Sequence, residues 1–145
     1  MYKNKPIIDT YDPVLYPVLL VVARNVTISR LNKDFSKVDD SDITEDYLGN
    51  NFVCVTFPAT RRSDRRKVII VLKNENVSKF DDLPLEDATH EGGHYVMDVF
   101  NEIGASITSN EQEPFCYLLQ WAVKNIYTTL TKKNNGNKRK KQKTV

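Results

Sequence analysis

The chain has 145 residues, 40% of them hydrophobic and 28% charged, which suits one globular domain with a single core. No run approaches 18 consecutive apolar residues, which excludes a membrane-spanning helix, and residues 1–11 lack the apolar stretch of a secretory signal. The formal net charge of +2 conceals an asymmetry: residues 131–145 hold seven of the 21 Lys/Arg and no acid, so residues 1–130 carry −5. That division predicts one domain over residues 1–130 and a disordered basic tail over 131–145. Cys54 and Cys116 have no CxxC partner, which argues against a disulfide framework or a cysteine-type zinc site and points to a reducing, cytoplasmic setting.

Residues 1–13, polar and holding Pro6 and Pro13, read as an extended lead-in. Residues 18–23 form a continuous apolar run rich in β-branched side chains, the pattern of a strand buried on both faces. Residues 32–51 are acidic and irregular and read as a surface excursion with room for a short helix. Two further strands are predicted at 52–57 and 68–72, joined through a basic, mobile hairpin tip at 58–67. From residue 82 the apolar period lengthens. Leu85, Ala88, Gly92, Val96, Val99, Phe100 and Ile103 share one helical face, Pro84 suits a first turn and Gly104 the left-handed position after a last one. A helix is therefore predicted over 84–103. Phe115, Leu118, Leu119, Ala122, Val123, Ile126 and Leu130 make the stripe of a second helix that starts at Pro114. The predicted fold class is α+β, a mostly antiparallel sheet packed against two helices.

His90-Glu91-Gly92-Gly93-His94 is an HExxH pattern and contains both histidines of the chain. Two histidines four apart lie about 40° apart around a helix, so both imidazoles reach one metal ion. Glu91 beside them is placed to take a proton from a metal-bound water. Both histidines lie opposite the apolar stripe, toward a cleft or solvent. Two glycines inside a helix cost about 1 kcal/mol each relative to alanine, and close approach of a substrate strand or of the sheet would explain them. A catalytic zinc needs a third protein ligand and an open fourth position. Glu113 at the start of the second helix, Asp98 one turn past His94, and Glu111 are the candidates. Glu113 sits opposite its helix's apolar stripe, Asp98 also suits an acceptor for an imidazole N–H, and Glu111 suits an acid near a helix N-terminus. Tyr95 and Tyr117 are candidate donors to an oxyanion, with Tyr117 the better placed, one turn after Glu113. Trp121 reads as a core or interface aromatic and Cys116 as a small buried residue.

His90-Glu91-x-x-His94 followed by Glu113 on the next helix resembles the gluzincin arrangement of zinc metallopeptidases. Within that group, Glu113-Pro114-Phe115-Cys116-Tyr117-Leu118 resembles the second-helix motif of compact ImmA/IrrE-type proteases, and it is similar to a run found in short HExxH proteins of phages and mobile elements. The resemblance covers residues 50–130, with its specific part at 90–121. It implies a small zincin-like domain with Zn2+ at His90, His94 and Glu113 and with Glu91 as general base. A peptide or protein substrate is then expected along a sheet edge, at 52–57 or 68–72. The alternative is a non-catalytic phage-type structural or interaction protein whose motif is vestigial or binds metal for stability. In that case the tail at 131–145 and the tip residues Arg61, Arg62, Arg65, Arg66 and Lys67 would dock on nucleic acid or an acidic partner. No aromatic interleaves with these charges, so base stacking is not expected.

Overall fold

The computed structural model describes residues 5–49, 51–76 and 82–133; the predicted disordered tail lies outside them from residue 134 onward. In chain order the elements are β1 (Ile7–Tyr11), β2 (Leu19–Arg24), α1 (Ile28–Asp34), β3 (Phe35–Ser36), α2 (Glu45–Leu48), β4 (Cys54–Arg61), β5 (Lys67–Lys73), α3 (Pro84–Ile103) and α4 (Glu113–Leu130). The strands form one sheet in the order β1-β2-β5-β4-β3. The class is α+β. The sheet is mostly antiparallel but mixed: β2 and β5 run parallel at its centre while the other three pairs are antiparallel. These two are also the most continuously apolar segments, as strands covered on both faces must be.

On one face, α3 and α4 lie over Leu20, Val22, Ile69 and Val71. Tyr95 is fully buried there, and its hydroxyl donates to the carbonyl of Val18 at 3.0 Å. The other face is covered by residues 28–48, of which 32–48 belong to the predicted surface excursion. Leu31, Phe35, Ile43 and Leu48 are buried against Leu19, Val21, Ile70 and Leu72. This stretch is a second packing layer, disguised in the sequence by the acids between its four apolar anchors. Its two short helices are started by Thr27 and Thr44, whose hydroxyls accept from the backbone N–H of Arg30 and Tyr47. Within the extended lead-in predicted over residues 1–13, residues 7–11 form the edge strand β1 against β2.

Both long helices fall where the apolar period and the two prolines put them. Gly104 closes α3 with φ 69°, and its N–H bonds the carbonyls of the last turn. The body continues past residue 130. Arg24 donates to the carbonyls of Leu130 and Lys132, satisfying the end of α4, and Lys132 pairs with Asp9 at 2.6 Å. No described helix is long and apolar enough to cross a membrane.

Candidate metal centre

The buried face of α3 is made by Ala88, Glu91, Gly92, Tyr95, Val96, Val99 and Phe100. His90 and His94 stand away from the centre of that face, exposed, with their Nε2 atoms 3.2 Å apart. Two nitrogens at that separation, each about 2.0–2.1 Å from a shared ion, subtend roughly 100° at it, close to a tetrahedral angle. The imidazole pair therefore fits two corners of a zinc site.

Glu91 is only 5% exposed, and its carboxylate accepts from the Thr56 hydroxyl on β4. The flank of α3 that carries Glu91 and His94 thus faces β4. Asp98, one turn further, lies on the same flank; burial holds its carboxyl above the ordinary range, and nearby His94 offsets part of that rise. At the opposite end, Lys73 reaches Asp82 and Asp87 at 3.0 and 2.9 Å. Burial disfavours the Lys73 ammonium, but these two carboxylates outweigh it and its pKa is raised. Burial also pushes the Cys54 thiol up to about 12, so it stays protonated and is no nucleophile at neutral pH.

Glu113 does not join the histidines. A Cβ at Gly92 would lie 2.9 Å from Val123 Cγ2, so α4 meets α3 at Gly92. By the helical period, His90 and His94 point about 160° or more away from that contact. Glu113 also lies six residues before Leu119, which faces Gly92; this is about 9 Å along the axis toward the far end of α3, where Phe115 meets Phe100. The antiparallel return was expected to bring the two polar faces together, but the helices pack through their apolar sides and turn those faces apart. Among the described residues no three His, Cys, Asp or Glu side chains converge to hold a metal ion.

The other candidates separate in the same way. Tyr117 is exposed on α4, away from the histidine flank, and Tyr95 has spent its hydroxyl on Val18. Glu111 is exposed in the turn before α4, where it bridges to Thr108. Cys116, expected to be buried, is exposed, whereas Trp121 packs on Tyr95 with ring centroids 6.0 Å apart. The close approach that Gly92 permits is that of α4, neither a substrate strand nor the sheet, and nothing lies within 4 Å of a Cβ at Gly93.

Of the two strands considered as substrate edges, β5 is central and unavailable. β4 is open. β3 pairs only with Thr60 and Arg61, so Cys54–Ala59 have no strand partner on that side among the described residues. The N–H of Arg62 points outward to Asp34, while that of Arg61 points inward to Arg66, which fixes the alternation. The main-chain groups of Cys54, Thr56 and Pro58 then face outward, with proline lacking its N–H.

The basic tip is not a free cationic patch. Arg61 pairs with Asp64 at 2.6 Å, Arg62 with Asp42 at 3.0 Å, Arg65 with Asp40 at 2.6 Å and Arg66 with Asp12 at 3.5 Å, while Lys67 pairs with Glu102. The acids of residues 34–46 supply two of these partners, and their charge complementarity with 61–67 was the signal for it in the sequence. Thr56, the hydrogen-bond partner of Glu91, carried no such signal.

No family model, curated protein or solved structure matches this chain.

Proposed function

We propose that the protein is a zinc-dependent peptide hydrolase whose metal is held by His90 and His94. The observation that supports this most directly is the 3.2 Å separation of the two Nε2 atoms on one exposed flank of α3. Zinc bound there supplies a Lewis acid and a water of lowered pKa. The chain's own part is to hold the Glu91 carboxylate through Thr56 in the wall beside β4 as the proton acceptor. The open edge at Cys54–Ala59 offers main-chain hydrogen bonds to an extended peptide. Among the described residues no third His, Cys, Asp or Glu joins this pair.

Metal analysis after dialysis, combined with hydrolysis of a fluorogenic peptide library, tests the proposal. Wild type is expected to retain one zinc per chain and cleave. His94→Ala loses the metal, and Glu91→Gln keeps the metal but loses at least about 100-fold in rate, the usual contribution of a general base. Glu113→Ala keeps the metal, because its carboxylate lies on the wrong side of α3. Full metal occupancy in His94→Ala would sink the assignment. The missing third ligand also supports a second reading, a non-catalytic protein whose HExxH pattern is vestigial. Wild-type protein that retains no zinc after dialysis, melts at the same temperature with and without chelator, and cleaves nothing selects that reading.

A further inference from the structure

We propose that the cavity between α3 and the β4–β5 hairpin receives a lysine or arginine side chain of the bound peptide, with Asp98 as its counter-ion; this rests on the peptide-hydrolase reading above. The cavity has a volume of about 400 Å³. Val18, Pro58 and Ile69 contribute an apolar lining that suits the long alkyl stem of a basic residue. Its other charges are already balanced: Lys67 is paired with Glu102 and Arg65 with Asp40. Asp98 alone among the lining charges makes no hydrogen bond or ion pair with a described residue. A cation meets that carboxylate, an aliphatic side chain leaves it desolvated without a partner, and an acid is repelled.

Strand register places this cavity on the peptide's path. Residues directly opposite each other in an antiparallel pair put their side chains on the same face. Thr56 faces α3, since it bonds Glu91, and Pro58 two residues on shares that face. A peptide residue opposite Thr56 therefore lies beside Glu91, and the one opposite Pro58 points toward the cavity. The preference belongs to a position two residues from the one nearest Glu91.

The test uses zinc-loaded, full-length Glu91→Gln protein and fluorescent positional-scanning hexapeptide mixtures with one position fixed as Lys, Arg, Leu or Glu. Anisotropy titrations are expected to show the Lys and Arg mixtures binding about tenfold more tightly than the Leu and Glu mixtures at one position. Asp98→Asn removes that preference, and Asp98→Lys transfers it to Glu, with melting temperatures confirming that each variant is folded. If Glu91→Gln does not fold, cleavage of the same mixtures by the wild-type chain gives the comparison. Binding without a preference, or a preference that survives Asp98→Asn, overturns the subsite and leaves the peptide reading standing. No binding or cleavage of any mixture overturns both.

Discussion

A methyl group added at Gly92 meets Val123 Cγ2 at 2.9 Å, closer than two carbons pack, and the Val123 backbone nitrogen follows at 3.5 Å. Relief requires α3 and α4 to separate or Val123 to leave its rotamer, at about 1–3 kcal/mol, against a gain of about 1 kcal/mol in helix propensity. At Gly93 nothing lies within 4 Å, so the propensity gain stands alone. Calorimetric melting should therefore show Gly93→Ala above wild type and Gly92→Ala below it, and shifts of the same sign would contradict the helix contact. The pair was legible as an anomaly in the sequence, and the helical period put Gly92 on the packed face. Which neighbour it admits was not legible, since that depends on a helix 27 or more residues away. Glu91 behaves likewise: its motif was plain, but its partner Thr56 lies 35 residues back on another element.

Each element was visible in proportion to how regular its apolar pattern is. The two long helices, with stripes over five turns and prolines at their starts, appear with nearly the predicted bounds. The short elements α1, β3 and α2 were hidden because two to seven residues carry too few apolar positions to show a period. The β4–β5 hairpin was seen, but its tip was read as free charge. Arg61, through its hydrogen bonds to Asp64, holds that carboxyl down at about 2, with the backbone N–H of Arg66 assisting. Because the folded value lies below the ordinary 3.8, this interaction contributes fully above pH 3.8 and is lost as the pH falls through about 2. Carbon-13 titration of the Asp64 carboxyl should give a midpoint near 2, moving up toward 3.8 in Arg61→Gln. A wild-type midpoint already at 3.8 would show the pair absent in solution.

At the scale of the whole molecule, the +2 balance resolves into internal pairing and a terminal excess. The five tip cations are each matched by an acid, while residues 134–145 hold five Lys/Arg and no acid. We propose that any phosphate-directed binding is carried by the terminal segment. Truncation after Lys133 should abolish salt-dependent binding to duplex DNA in anisotropy titrations, while Arg65→Gln with Arg66→Gln changes it little. The reverse result would return the tip to the interface. Sequence alone determined the α+β class, the central strands, both long helices and the histidine pair, because each is a local pattern written in consecutive residues. Only the tertiary structure decided that residues 28–48 form a second layer, that β4 is the open edge, and that Glu113 is turned away from His90 and His94. These outcomes depend on which faces of distant elements bury one another. α4 presents its apolar stripe to Gly92, and that packing turns the Glu113 carboxylate away from the histidine side of α3.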